Sequence, residues 1–154
     1  MATTYDAIQG TVNATQALPN LVTGGQPGRA QLEAFKAAGG EVVLDLRDPM
    51  EPRDFDEPAT ARALGLEYEN VPVRPGAADD AVLERILAVL RQNAGRQVLL
   101  HCASANRVGG ALIPHLMLDH GLSEDGAVQQ AMRIGLRSPE FLQWGLDYAH
   151  RHAK

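Results

Sequence analysis

The chain contains a single cysteine, Cys102, and it stands in the run Val98-Leu99-Leu100-His101-Cys102-Ala103-Ser104-Ala105-Asn106-Arg107-Val108-Gly109-Gly110. An apolar strand runs into the cysteine, a short loop of small residues follows, and an arginine opens an apolar helix. That order of parts makes an anion site. The N–H groups of a tight loop and of a helix N-terminus converge on one point, where the helix dipole is positive. A thiol at that point is expected to ionise readily and to act as a nucleophile. Arg107 adds a fixed charge whose planar fork matches two oxygens of a phosphate or a similar oxyanion. A merely structural cysteine behaves as a small hydrophobe and needs neither the loop nor the arginine. The expected anion-binding group is Ala103, Ser104, Ala105, Asn106 and Arg107.

The elements that position this loop are read from periodicity and punctuation. Leu21-Val22-Thr23 is a short strand ending in the turn Gly24-Gly25-Gln26-Pro27-Gly28, and a helix from about Arg29 to Ala38 is stopped by Gly39-Gly40. Glu41 to Leu46 is a buried strand. The proline- and acid-rich segment Arg47 to Pro58 is a loop, leading to a helix through Ala61 and Leu64. Tyr68 to Val73 is the next strand, broken by Arg74-Pro75-Gly76. Asp79 or Asp80 starts the most regular helix, with Val82, Leu83, Ile86, Leu87 and Leu90 on one face and Glu84, Arg85 and Arg91 on the other. The helix from Arg107 to about Asp119 is apolar nearly all round and belongs in the middle of the fold, kinked at Pro114 and ended by Gly121. Ser123 and Ser138-Pro139 start two more helices. Residues 1–17 are polar and weakly patterned and read as a tail or loose first helix, so that 18–154 forms a single domain.

Strands alternating with helices predict an α/β fold of three layers, a mainly parallel sheet of four or five strands flanked by helices. Ligands of such sheets bind outside the carboxyl ends of the strands. The loops there are Thr23–Arg29, Arg47–Glu57, Arg74–Asp80 and Cys102–Arg107, which hold most of the polar residues of interest.

At 154 residues and 45% hydrophobic, the chain has enough apolar material for one core. Lys+Arg 14 against Asp+Glu 19 gives a net charge of −5, and with no basic run nucleic acid is excluded as a partner. One cysteine permits no internal disulfide and no resolving thiol, which fits a reducing compartment. Met1-Ala2-Thr3-Thr4-Tyr5-Asp6 lacks the basic head and apolar core of a signal peptide, and no apolar run is long enough to span a bilayer. The expectation is a cytoplasmic protein without a membrane partner. His115, His120, His150 and His152 show no ligand-like spacing with a carboxylate or cysteine, so neither a metal nor another cofactor is expected. Trp144, Phe141 and Tyr148 at helical spacing read as core or as an exposed contact face.

The Cys102–Arg107 segment resembles the signature loop of the cysteine-dependent phosphatases. From Leu21 to about Arg151 the chain resembles a bacterial phosphatase-like family also found joined to beta-lactamase-fold hydrolases. The landmarks are Gly25-Gln26-Pro27, Val43-Leu44-Asp45-Leu46-Arg47, Val71-Pro72-Val73, His101-Cys102 through Arg107, and Gly135-Leu136-Arg137-Ser138. The resemblance implies a dual-specificity-phosphatase-like fold and hydrolysis of a phosphorylated substrate through a phosphocysteine on Cys102. It also exposes departures. Four residues lie between Cys102 and Arg107, the count of rhodanese sulfurtransferases, where dual-specificity phosphatases have five. Val108 stands where phosphatases carry Ser or Thr, leaving Ser104 as the hydroxyl available to the departing thiolate. Ala105 stands where both families commonly have glycine, and it is strained if the position needs φ > 0. A persulfide-carrying sulfurtransferase is therefore the alternative activity, and a non-catalytic anion- or partner-binding domain the second alternative.

Dual-specificity phosphatases take a general acid from the loop after the strand matching Tyr68–Val73. Here the first acids in that loop are Asp79 and Asp80, which are either that acid or caps of the following helix. Asp48, Asp54, Asp56 and Glu57 are the alternatives on a neighbouring loop. The resemblance makes His101 a loop-orienting hydrogen bonder. Asp45 either bonds the loop or Arg107, or caps its own strand. Arg74 and Arg137 either extend the positive pocket or lie in solvent.

Overall fold

The structure, a computed structural model, describes residues 2–153. Its strands are β1 (Thr15–Leu18), β2 (Leu21–Gly24), β3 (Val42–Asp45), β4 (Glu67–Asn70) and β5 (Val98–His101). They form one sheet in the order β1-β2-β5-β3-β4, parallel throughout except for the β1–β2 pair. The strand that delivers Cys102 is central, with Leu99 opposite Val22 on one side and Val43 on the other. All four residues of β5 are buried, as expected for a parallel strand covered on both faces.

Alternation along the strands sends successive side chains to opposite faces and builds two cores. Val22, Val43 and Leu99 pack with Ile8, Leu32, Phe35 and Ala61, beneath α1 (Thr4–Ala7), α2 (Arg29–Ala37) and α3 (Glu57–Ala63). Leu21, Val42, Leu44, Val98 and Leu100 face the larger core. That core is closed by α4 (Asp80–Gln92), α5 (Asn106–Pro114), α6 (Glu124–Ile134) and α7 (Pro139–His152). Helix α5 is the buried one, and α7 crosses it closely enough that a Cβ on Gly145 would overlap the carbonyl oxygen of Gly110. Ser123 and Ser138 cap α6 and α7, accepting from the amides of Gly126 and Phe141. The fold is the expected three-layer, mainly parallel α/β architecture, with five strands. Among the described residues no helix is long and apolar enough to cross a membrane.

The first 17 residues, read as a tail or loose first helix, hold a short first helix and an edge strand. Thr3 and Asp6 form a reciprocal capping box that starts α1, Ile8 is fully buried, and Thr15–Leu18 is an edge strand antiparallel to β2. Pairing across a two-residue turn supplies β1 with backbone bonds that its four-residue pattern does not announce. Met1 and Lys154, the outer ends of the two expected segments, lie outside the described residues.

Candidate active site

The loop after β5 is shaped from outside. Gln26 N–H donates to the Ala103 carbonyl (3.1 Å), and Asn13 Nδ2 donates to the Ser104 carbonyl (2.8 Å). With these carbonyls tied outward, the loop turns its amides inward. Ala105 N–H reaches Cys102 Sγ at 3.1 Å, and Cys102 itself is fully buried. Gly25 lies so close beneath the loop that a Cβ there would overlap the Ala103 carbonyl. Ala105 is left-handed, with φ 74°, so alanine sits in the strained conformation that glycine adopts freely, at a cost of roughly 1–2 kcal/mol. Asn106 starts α5 and turns its side chain away from the loop, where Oδ1 accepts from the amides of Arg137 (2.8 Å) and Ser138 (3.0 Å). The first-turn amides of α5, on Asn106, Arg107 and Val108, have no carbonyl of their own helix to bond, as at any helix start.

Arg107 is aimed by Glu51, a residue of the acid-rich loop that the sequence did not single out. Glu51 takes Nη1 at 2.8 Å and Nη2 at 3.0 Å, and the Val73 carbonyl takes Nη1 again at 3.2 Å. Of the five guanidinium protons, Nε–H and one on Nη2 are left, and these form the side edge of the fork. Burial works against the Arg107 charge, but Glu51 and the Cys102 sulfur outweigh it and raise its pKa. Glu51 also accepts from Arg47 Nε (3.1 Å) and the Asp48 amide (2.7 Å). The Arg107 hydrogen bond, followed by those of Asp48 and Arg47, overcomes burial and holds the Glu51 carboxyl at about 2. We expect Glu51→Gln to lower kcat/KM for an aryl phosphate by about 10- to 100-fold through loss of aim. Inhibition by inorganic phosphate should weaken in parallel. Tighter phosphate inhibition in this variant would mean that Glu51 competes with the anion instead of positioning its partner.

Beneath the loop lies a buried charged network. His101 Nε2 meets Glu57 Oε2 at 2.6 Å and Nδ1 meets the Cys102 carbonyl at 3.2 Å. Arg53 Nη1 bridges Asp45 Oδ2 (2.5 Å) and Glu57 Oε1 (2.7 Å), and Tyr68 Oη donates to Asp45 Oδ2 (2.5 Å). Burial pushes the His101 pKa down, but the Glu57 hydrogen bond, the charges of Glu57 and Asp45 and the Cys102 carbonyl together raise it. Both ring nitrogens face acceptors, the Glu57 carboxylate and the Cys102 carbonyl, so the ring is read as an imidazolium that donates at both. Asp45 does not reach Arg107; it accepts from the Arg47 amide at 2.8 Å and anchors Arg53. Ligand-capable atoms of Asp45, Glu57 and His101 lie within 4.8 Å of one another. Arg53 already stands between the two carboxylates, so a guanidinium fills the place a metal would take.

Ser104, Asn106 and Arg107 bring the loop to a cleft of about 660 Å³ walled by Met50, Pro52, Pro75 and Phe141, with Asp48, Glu51 and Arg74 as its other polar groups, while Cys102 lies buried behind the loop. Arg74 is on the rim, paired with Asp48. Arg137 does not extend the pocket, because its Nη1 donates to the carbonyls of Met132 and Leu136. Asp79 and Asp80 are not in the cleft. Asp79 Oδ1 accepts the Val82 amide (3.0 Å) as the cap of α4, and its carbonyl accepts from Trp144 Nε1 (3.0 Å). Asp80 pairs with Arg151, and both acids line a separate depression beside α7. Unpaired amides at the start of α4 hold them there, by the capping that competed with the catalytic expectation. The cleft's own carboxylates are ionised: Asp48 is lowered by the Met50 amide and Arg74, and Glu51 lies at about 2. A spacing signal for the missed residues did exist. Arg47–Glu51 and Arg53–Glu57 are opposite charges four apart, in a loop too rich in proline to be a helix.

No family model matches the chain. A curated beta-lactamase hydrolase-like protein of Xylella fastidiosa, found in two strains, is 31% identical over 91 residues. The match covers 56% of this chain and 21% of that relative's length. Among solved structures, a phosphatase-like protein (DUF442) from Shewanella putrefaciens CN-32 aligns with TM-score 0.81 and 22% identity, covering 97% of this chain and 99% of that one. The core catalytic domain of the PP-IP phosphatase SIW14 from S. cerevisiae, in complex with citrate, aligns with TM-score 0.77 and 14% identity over 90% and 86% of the two chains. The chain thus has the dual-specificity-phosphatase-like fold and is similar, across 91 residues, to the beta-lactamase hydrolase-like proteins, of whose length it spans about a fifth.

Proposed function

We propose that this domain hydrolyses phosphate monoesters through a phosphocysteine on Cys102. The observation that carries the reading is the Ala105 N–H on Cys102 Sγ at 3.1 Å, in a loop that shares its cleft with Arg107 and with the guanidinium edge not taken by Glu51 or Val73. Loop amides and that edge would hold three phosphoryl oxygens while the sulfur attacks phosphorus. The S–P bond forms as the ester P–O bond breaks, and the leaving oxygen departs with the bonding pair. Water then attacks phosphorus, the S–P bond breaks, and inorganic phosphate is released. The Ser104 hydroxyl, on the cleft wall, would donate to the returning thiolate. Support also comes from the fold shared with a PP-IP phosphatase that holds citrate, itself an anion.

Neither carboxylate of the cleft is protonated at neutral pH, so nothing there protonates a leaving alkoxide. The substrates are accordingly esters whose leaving oxygen is stable as an anion, such as aryl phosphates. In a leaving-group series, kcat/KM should fall steeply with rising leaving-group pKa, and alkyl phosphates should be slower by about 10² or more. Asp79→Asn, which keeps a good helix cap, should leave that slope unchanged. Acid quench during turnover should trap a phosphoryl group on the Cys102 peptide, detected by mass. A shallow slope that steepens in Asp79→Asn would restore Asp79 as the acid, and a missing phosphoenzyme would overturn the mechanism. The four-residue spacing from Cys102 to Arg107 favours one second reading, sulfur transfer through a Cys102 persulfide, which needs no acid.

A further inference from the structure

Helix α5 does not end at Pro114 but widens into a π turn over His115–Asp119, followed by His120. In an α-helix, residues five apart point about 140° away from each other. The wider turn stacks them instead, and π turns are rare features found frequently at functional sites. The His115 and His120 rings meet edge to face, centroids 4.7 Å apart, with their Nε2 atoms 3.3 Å from each other.

The tautomer of the inner ring is set by its neighbours. His115 is 7% exposed, and its Nδ1 lies 2.8 Å from Asp119 Oδ2. Arg91 Nε holds both oxygens of that carboxylate, at 3.1 and 2.9 Å. An ionised carboxylate only accepts, so the proton is on Nδ1 and the lone pair of His115 Nε2 points at His120. A carboxylate behind a histidine, fixing its orientation and raising its basicity, is the usual support of a metal-ligating imidazole. Two Zn–N bonds of about 2.0–2.1 Å at the tetrahedral angle put their nitrogens about 3.3–3.4 Å apart, which is the spacing seen.

Both rings border a cavity of about 50 Å³ shared with Asn20, Leu21 and Val98. That volume admits one or two waters, at about 30 Å³ each, to complete a coordination shell. Leu21 and Val98 begin β2 and β5, whereas Cys102 follows the other end of β5, so the cavity and the catalytic cleft lie at opposite ends of the sheet.

We propose that His115 Nε2 and His120 Nε2 form a two-imidazole site for a borderline divalent transition metal, Zn²⁺ in the first place, with Asp119 as the orienting carboxylate. Metal entry replaces the N–H···N contact between the rings. The proton on His120 Nε2 passes to Nδ1 of the same exposed ring, so both Nε2 lone pairs face the ion. Zn²⁺ titration by calorimetry in a Cys102→Ser background, which removes the only competing thiol, tests this. One Zn²⁺ per chain is expected. His120→Gln, at an exposed position, should weaken binding at least tenfold, and Asp119→Asn by about 10- to 100-fold. His150→Gln, whose ring pairs with Glu124, should leave affinity unchanged. Zn²⁺ should also raise the melting temperature of the parent and not that of His120→Gln. Absence of binding, or equal affinity in parent and His120→Gln when both melt alike without metal, would overturn the site.

Discussion

Replacing Cys102 by serine should cut hydrolysis of an aryl phosphate by at least about 10⁴-fold, since the nucleophile acts as a unit with its site. The substitution exchanges a polarisable sulfur for an alcohol that stays protonated. The cleft's carboxylates, Glu51 and Asp48, are weak bases, because Arg107 holds the one ionised and the Met50 amide and Arg74 the other. The anion pocket itself should survive. Amides of residues 103–107 and the Glu51-held Arg107 do not depend on the sulfur, so inorganic phosphate should bind Cys102→Ser within a few-fold of the parent. Loss of turnover with retained binding separates a nucleophile from a fold element. The same two proteins assayed with thiosulfate and cyanide decide the chemistry. Sulfur transfer by the parent, with phosphate hydrolysis no faster than in Cys102→Ser, would establish the persulfide reading. Failure of both reactions with phosphate still bound would leave a binding domain.

The second large effect lies under the loop. Glu57 is fully buried and serves three partners: His101, Arg53 and the Gln26 side chain, at 2.6, 2.7 and 2.7 Å. Two carboxylates, Asp45 and Glu57, there balance two cations, Arg53 and the His101 imidazolium. Glu57→Leu leaves both cations with one acid in a dry site, and breaking a buried pair in this way costs about 3–5 kcal/mol. Glu57→Gln should cost less, and it isolates the charge. The folded pKa of His101 is raised above its unfolded value. Its stabilisation is therefore complete below about pH 6.5 and is lost as pH rises through the folded pKa. Urea unfolding across that range should show parental stability declining on the alkaline side. The decline should be blunted in Glu57→Gln, whose His101 has lost its main partner. Equal slopes in parent and Glu57→Gln would mean that His101 is neutral and that the network is held by hydrogen bonds alone.

The parts legible in the sequence were those whose cause is local. The strand–loop–helix around Cys102, the apolar stripe of α4 and the serine caps of α6 and α7 each follow from backbone sterics, helix period or unpaired first-turn amides. All of these act within a few residues. The alternation of strands and helices then left few sheet architectures, and the carboxyl ends of the strands had to carry the site. Tertiary structure alone decided which charges meet. In the sequence Glu51 was one unremarked acid of its loop and Glu57 one of four alternatives for a general acid, until the fold laid that loop across Arg107 and His101, partners 56 and 44 residues away. Asp79 and Asp80 read as either a general acid or helix caps, and packing gave one to the start of α4 and paired the other with Arg151 of α7. His115 and His120 had the wrong helical spacing until a π turn brought them together. Coulomb and hydrogen-bond energies depend on distances of a few ångströms and on exclusion of water. A sequence sets which charges exist, and only packing sets those distances.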